Sequence, residues 1–230
     1  MQPRFVGRLS VADVVTVSNA ALGFLAAAVA AVEPTLAARL ILLGAIADGL
    51  DGVLARKYGS SEAGHFLDAL ADVASFCVAP ALLVAAVART AWPPDASLVP
   101  HAVAVGCAAL FVAMGVVRLG LYTAFDSDDH ATEGVQTTLA ATVLAAVVLS
   151  IDVLPASLAP VLVGLTALLA LLMVTPIRYP DLHPQDALVM GVVQALAILL
   201  TGFAGQVFAF GLLFLALAYL VFAPWVYWDR

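Results

Sequence analysis

The chain has 230 residues, of which 64% are hydrophobic and 11% charged, and its 16 acidic and 9 basic side chains give a net charge of −7. So apolar a composition excludes a soluble domain of this length, and the acidic balance excludes a nucleic-acid-binding protein, which needs a basic surface. Two cysteines, both inside apolar runs, exclude a disulfide framework. The composition predicts an integral membrane protein.

Apolar runs near the length needed to cross about 30 Å of hydrocarbon recur along the whole sequence. They predict an all-α fold, a polytopic membrane helical bundle of about eight transmembrane helices that forms a single domain over residues 1–230. The predicted spans, each to within a few residues, are 14–32, 35–57, 64–88, 99–122, 135–151, 158–175, 186–201 and 206–223.

The distribution of basic residues predicts how the bundle is oriented. An even number of spans places both termini on one side of the membrane, and most basic residues then lie on that side. They are Arg4, Arg8, Arg56, Lys57, Arg178 and Arg230. The positive-inside rule makes this side cytoplasmic. We therefore predict a multi-pass cell-membrane protein with both termini in the cytoplasm.

The second and third predicted spans carry four aspartates near one membrane face. The two stretches read Asp48-Gly-Leu-Asp51-Gly52-Val-Leu-Ala55-Arg56 and Gly64-His-Phe-Leu-Asp68-Ala-Leu-Ala-Asp72. In each stretch these residues recur at helical spacing, so each helix presents one acidic face. A charged side chain at the membrane centre costs about 2.5–3.5 kcal/mol on insertion scales, so four of them on adjoining helix ends indicate a functional site. The sequence predicts an interfacial cavity on the cytoplasmic side.

Clustered carboxylates in a low-dielectric setting either take up protons or bind cations. Ligation by oxygen alone suits Mg²⁺ or Mn²⁺, or Ca²⁺, better than zinc. The cluster therefore predicts a divalent metal, with two ions sharing one bridging carboxylate, and such a pair typically holds a phosphate or diphosphate. The small residues Gly52, Ala55 and Gly64 leave room for a ligand or a helix backbone to approach the carboxylates closely.

The pattern DxxDGxxAR, a seven-residue gap and GxxxDxxxD resembles the signature of the CDP-alcohol phosphotransferases. These membrane enzymes transfer a phosphorus-bearing group from a CDP-linked donor to an alcohol and release CMP. The resemblance implies that Asp48, Asp51 and Asp68 ligate metal. It also implies that Asp72 completes the second metal site and, as the catalytic base, accepts the proton of the attacking alcohol. The CDP-lipid would contact Asn19, Gly52, Ala55, Arg56 and Gly64.

The residues that follow the motif resemble the phosphatidylserine synthase branch of this family. The resemblance covers Ala71-Asp72-Val-Ala-Ser75-Phe76-Cys-Val-Ala79-Pro80-Ala81 and Ile177-Arg178-Tyr179-Pro180. It implies L-serine as the acceptor, with Arg118 and Arg178 binding the serine carboxylate. The chain departs from the branch at Leu121 and Thr123, where arginine and asparagine are usual. Glycerol phosphate and inositol phosphate are the alternative acceptors, although each would favour a denser basic pocket.

The acidic bias, with Lys57 as the single lysine, favours an organism that lives at high salt. In a halophilic archaeon the donor would be CDP-archaeol instead of CDP-diacylglycerol, and the product would be archaetidylserine. The resemblance also implies a homodimer surrounded by membrane lipids.

Two other classes of membrane protein place acids in their helices. An ion-coupled transporter binds cations with such acids. A transporter would have its acids near the membrane midplane and a sequence built of two repeated halves, and neither feature is evident in the sequence. A membrane prenyltransferase acts on a diphosphate with Mg²⁺, but its two acidic motifs lie far apart along the chain. Incorporation of labelled serine into lipid, dependent on a CDP-lipid, distinguishes the three classes.

Overall fold

The computed structural model describes residues 9–126, 131–150 and 157–226. Within these ranges the chain forms eight helices and a two-stranded antiparallel ribbon. The helices are α1 Val11–Val29, α2 Pro34–Tyr58, α3 Gly64–Ala91, α4 Leu98–Leu121, α5 Thr137–Leu149, α6 Leu158–Leu172, α7 Pro184–Leu199 and α8 Gly202–Val226. The strands are β1 Ala131–Glu133 and β2 Arg178–Pro180. The predicted polytopic helical bundle is confirmed.

Local sequence sets the ends of the first helices. At the start of α1 the Asp13 amide donates to Ser10 Oγ (3.2 Å) and the Ser10 amide donates to Asp13 Oδ2 (2.6 Å), which forms a capping box. Proline occupies the first position of α2, where its missing N–H costs nothing. The α2 helix ends at Gly59, whose φ of +85° suits glycine. The motif therefore lies at the end of α2, close to the turn into α3.

Helix length and composition agree with insertion in a membrane. In the described part of the chain, α1, α3, α4 and α8 are long and apolar enough to span a bilayer, and α5, α6 and α7 are shorter apolar helices. The α2 helix carries the motif charges. Large apolar side chains on the outer surface, including Phe24, Phe203 and Phe214, are exposed, as expected where lipid is the solvent.

The α5 helix lies at the centre of the bundle. Every residue of α5 except Thr138 is buried, and the helix packs against α2, α3, α6 and α8. The α7 helix is joined to α2 by a buried hydrogen bond from Gln194 Nε2 to the Leu42 carbonyl (2.7 Å). The N-terminus of α5 lies next to the motif, because Thr137 and Thr138 contact the motif aspartates Asp72 and Asp48.

A short two-stranded ribbon accompanies the all-α bundle, and both of its strands fall in segments predicted as loops. Thr132 pairs with Tyr179 and Glu133 with Arg178. Burial raises the pKa of the Tyr179 phenol, which therefore stays protonated and donates to the Leu220 carbonyl of α8 (3.3 Å). Pairing between segments so distant in sequence gives no local signal. The ribbon ties the entry to α5 to the end of α8.

A tight turn then leads from β1 into α5. Gly134 has a φ of +72°, and a side chain there would overlap the Met173 carbonyl. Its amide donates to the Ile177 carbonyl (2.8 Å), and the Val135 amide donates to the Leu172 carbonyl (3.1 Å). This turn explains why α5 begins at Thr137 and not at residue 135, where the predicted span started.

Candidate active site

Three of the four motif aspartates meet between α2 and α3. Asp48, Asp68 and Asp72 each contribute one carboxylate oxygen to a group in which all the oxygens lie within 4.8 Å of one another. Asp72 is buried, Asp48 is half-buried and Asp68 is exposed. The helical spacing recognised in the sequence therefore brings acids from two helices to one place, as predicted.

Asp51 lies beside this group and not within it. It is buried, and its Oδ2 accepts a hydrogen bond from Thr16 Oγ1 of α1 (2.7 Å). Asp51 and Asp68 line the same cavity. The arrangement places three carboxylates around one point and the fourth on the α1 side of it.

Threonines of α5 donate a hydrogen bond to one oxygen of each of two clustered aspartates. Thr138 Oγ1 lies 3.2 Å from Asp48 Oδ2, and Thr137 Oγ1 lies 3.4 Å from Asp72 Oδ2. The second Asp72 oxygen, Oδ1, is buried and has no hydrogen-bond partner within the described residues. A buried oxygen of this kind is costly unless something satisfies it, and a cation would do so. The residues therefore fit a divalent metal that prefers oxygen ligands, such as Mg²⁺, Mn²⁺ or Ca²⁺.

A first cavity, which we call the Asp51 cavity, has a volume of about 140 Å³. It is lined by Ala12, Asp13, Thr16, Asp51, Gly52, Ala55, Ser60, Gly64, His65 and Asp68. Three of the residues predicted to contact the donor, Gly52, Ala55 and Gly64, are in this wall. Arg56 is exposed, and its Nη1 would lie 3.8 Å from a Cβ placed at Gly52. The motif's small residues thus border one space next to the aspartates, and its arginine lies beside Gly52 without lining that space.

A second cavity, the Arg118 cavity, borders the cluster at Asp68 and Asp72 and has a volume of about 150 Å³. Its wall contains His65, Asp68, Ala69, Asp72, Arg118, Leu119, Tyr122, Thr123, Thr132, Gln136, Thr137, Thr138 and Asp181. His65 and Asp68 line both cavities. The two spaces therefore meet at the acidic cluster.

The guanidinium of Arg118 is held in a fixed position in this wall. The side chain is buried, and Nη2 donates to Thr132 Oγ1 of β1 (2.9 Å). The guanidinium carbon lies 5.7 Å from the centre of the Tyr122 ring, within cation–π range. Asp72 is close enough for an electrostatic interaction with Arg118. A positive charge and the catalytic candidate Asp72 thus face the same small cavity.

Two helices of the site, α3 and α4, depart from regular α geometry next to a site residue. The α3 helix is π-helical over Val73–Val78, directly after Asp72, and α4 continues into a π-helical turn over Tyr122–Asp126. Such turns occur often at functional sites. In α3 the π-helical segment places the Ser75 hydroxyl 2.8 Å from the Asn19 carbonyl, to which it donates.

The structure does not bring Asn19 or Arg178 into either cavity wall. Asn19 is fully buried one turn beyond Thr16, and its Oδ1 would lie 2.8 Å from a Cβ at Gly44. Its side-chain amide has no hydrogen-bond partner among the described residues. Arg178 is exposed on β2, opposite Glu133. Their roles in binding donor and acceptor stay predictions.

Sequence reasoning missed several residues of the site. His65 lies one residue off the helical face shared by Gly64 and Asp68, yet it lines both cavities. Thr137 and Thr138 carry no motif, and they lie 65 and 90 residues along the chain from their aspartate partners. No local pattern could have identified them.

Comparison with known proteins agrees with this geometry. A family model described as CDP-alcohol phosphatidyltransferase matches residues 9–177, which contain α1 to α6. A Helicobacter pylori protein named CDP-diacylglycerol–serine O-phosphatidyltransferase is 30% identical over 148 residues, which are 62% of this chain and 59% of that protein. A Methanocaldococcus jannaschii protein of the same name is 42% identical over 77 residues, 33% of this chain and 35% of that protein. The matches span less than two thirds of either relative.

Proposed function

The chain belongs to the CDP-alcohol phosphatidyltransferase family, and on that premise we propose that it transfers the phosphatidyl or archaetidyl group of a CDP-linked lipid to the hydroxyl of L-serine, with release of CMP. The observation that carries the proposal is the meeting of two cavities at the acidic cluster. One cavity is lined by the small motif residues, and the other contains a buried arginine. Two substrates, one in each cavity, could thus meet at Asp68, which lines both.

The Asp51 cavity is the proposed donor site. Gly52, Ala55 and Gly64 leave space beside the carboxylates for a diphosphate. Arg56 offers a guanidinium beside Gly52, and this group can pair with phosphate through two parallel hydrogen bonds. Asn19 would act from one helical turn deeper along α1. CDP-diacylglycerol and CDP-archaeol share the CDP portion that these residues would bind.

The metal ions would be held by the motif carboxylates. Asp48, Asp68 and Asp72 would hold one ion, and Asp51 with Asp68 would contribute to a second. When bound, Mg²⁺ or Mn²⁺ (or Ca²⁺) neutralises the charge of a diphosphate and orients it. Asp72 also lines the Arg118 cavity, so its carboxylate can accept the proton of a hydroxyl bound there.

The Arg118 cavity is the proposed acceptor site. The buried guanidinium is fixed by Thr132 and Tyr122, so it can pair with a carboxylate without losing much side-chain entropy. Arg118 and His65 are the basic residues of this wall. An acceptor with its own phosphate, such as glycerol phosphate or inositol phosphate, would favour more positive charge and more space. A small alcohol with one carboxylate, which describes serine, suits the site best.

The proposed enzyme is a single membrane domain that includes α7 and α8. The hydrogen bond of Gln194 to α2, and that of the Tyr219 hydroxyl to the Pro180 carbonyl (2.5 Å), support their place in it. We propose a cytoplasmic site, cytoplasmic termini and a homodimer. Arg4, Arg8 and Arg230, which contribute to the predicted orientation, lie outside the described residues.

The test is an acceptor assay on the purified protein in mixed micelles. CDP-diacylglycerol or CDP-archaeol is supplied with Mg²⁺ or Mn²⁺ and labelled serine, and labelled lipid and CMP are measured. We expect serine to enter lipid in a one-to-one ratio with CMP release. CMP release with glycerol phosphate or inositol phosphate but not with serine would overturn the acceptor. No transfer to any alcohol, together with cation-coupled uptake in vesicles, would support a transporter instead.

A further inference from the structure

The first turn of α5 contacts both helices that carry the motif aspartates. Thr137 reaches Asp72 of α3 and its neighbour Thr138 reaches Asp48 of α2, at 3.4 and 3.2 Å. In each pair the hydroxyl donates to a carboxylate oxygen. We propose that Thr137 and Thr138 are positioning residues that fix the separation and orientation of these two carboxylates for divalent-cation binding. The inference rests on the proposed metal-dependent function.

Each of the two hydrogen bonds occupies one of the two oxygens of its carboxylate. Both threonines bind Oδ2, and the Asp72 Oδ1 atom stays buried without a partner in the described part of the protein. Occupying one oxygen restricts rotation of the carboxylate and leaves the other for a metal ligand. Hydrogen-bonded partners of metal ligands orient them in this way, and their loss typically lowers metal affinity 10–100-fold.

The segment that carries the two threonines is itself firmly placed. All residues of α5 except Thr138 are buried. The Gly134 turn and the β1–β2 ribbon fix the entry to the helix. Thr132, in the same segment, accepts the hydrogen bond from Arg118. Residues 132–138 therefore contact both Arg118 and the carboxylates of Asp48 and Asp72.

The contacts of these two hydroxyls, in the first turn of α5, differ from those of a threonine inside a helix. Threonines within helices commonly donate to the carbonyl four residues earlier, as the buried Thr166 does to Leu162 (2.7 Å). Thr137 and Thr138 donate across helices to charged groups instead, where a hydrogen bond is worth more than one between neutral groups. Thr166 is accordingly a matched control for the loss of a buried hydroxyl.

The experiment measures Mn²⁺ binding by paramagnetic resonance to the purified full chain without substrate. We expect Thr137→Val and Thr138→Val each to weaken Mn²⁺ binding about 10–100-fold. Thr137→Ser and Thr138→Ser, which keep the hydroxyl, should bind as the wild type does, and so should Thr166→Val. Thermal unfolding without metal reports whether each variant folds. If a valine variant does not fold, the alanine variant at that position replaces it, with the same expected loss.

The outcomes separate this inference from the proposed function. Wild-type affinity in the folded Thr137 and Thr138 variants, with Mn²⁺ bound by the wild-type protein, would overturn the positioning role and leave the proposed function intact. A weakened affinity in Thr166→Val equal to theirs would also overturn it. A wild-type protein that binds no Mn²⁺ would contradict the proposed metal dependence and the positioning role together.

Discussion

Replacing Asp72 by asparagine is expected to lower kcat for CMP release by about 10²–10⁴-fold, the range typical of a lost general base. Asparagine keeps the size of the side chain, but it cannot accept the proton of the acceptor hydroxyl and is a weaker ligand for a hard cation. Asp72 alone among the clustered acids is both buried and part of the wall of the Arg118 cavity. The measurement is labelled CMP release at saturating serine and CDP-lipid.

The matched control for Asp72→Asn is Asp95→Asn. Asp95 is exposed in the turn between α3 and α4, away from both cavities, so its neutralisation should leave kcat unchanged. Equal thermal unfolding of the two variants would show that the fold is intact. Turnover of Asp72→Asn at the wild-type rate would remove Asp72 from its catalytic role.

Replacing Arg118 by alanine is expected to raise the KM for serine about 10–100-fold, with a smaller effect on the KM for the CDP-lipid. The estimate follows because a hydrogen bond to a charged group is worth about 1.5–3 kcal/mol, and each 1.4 kcal/mol is a factor of ten in affinity. Arg118→Lys keeps the charge but loses the planar guanidinium that pairs with a carboxylate. Its KM for serine should therefore lie between those of the wild type and Arg118→Ala. Steady-state kinetics with serine varied gives the comparison.

Alanine variants of two other arginines show whether the effect on the KM for serine is specific to Arg118. Arg178 is exposed on β2 and lines neither cavity, so Arg178→Ala tests directly whether its predicted contact with serine exists. Arg89, exposed near the end of α3, should give wild-type kinetics as alanine. A KM for serine that stays at the wild-type value in Arg118→Ala would contradict the proposed acceptor site.

The acidic cluster could be predicted because its information is local. Asp48 and Asp51 are three residues apart, Asp68 and Asp72 are four apart, and a short turn joins the two helices, so helical periodicity alone brings the acids to one membrane face. Spacing could not separate Asp51 from the other three. That difference depends on Thr16 of α1, which binds Asp51 from a third helix.

The rest of the site depends on contacts between distant segments. Arg118 could be proposed as a serine ligand only from family resemblance, whereas its orientation follows from Thr132 and the ribbon that carries it. Likewise Thr137 and Thr138 have no distinctive spacing, and only tertiary packing places them against the aspartates.

The apolar runs predicted where the helices lie. They could not predict where each helix begins and ends, because capping interactions and prolines set the ends and hydropathy does not report them. The first span was predicted to begin at residue 14, whereas the Ser10–Asp13 capping box starts α1 at Val11. The third span was predicted to end at residue 88, whereas α3 continues to Ala91, just before the prolines of the next turn. Part of the predicted fifth span lies outside the described residues.

The most direct test of the account is the position of bound Mn²⁺, measured by anomalous X-ray diffraction at the manganese edge from crystals grown with Mn²⁺ and a CDP-lipid. We expect an anomalous peak among the carboxylates of Asp48, Asp68 and Asp72, with the lipid diphosphate beside it. The same crystals with CDP-lipid bound but no manganese peak at these carboxylates, or with the peak elsewhere in the protein, would contradict it.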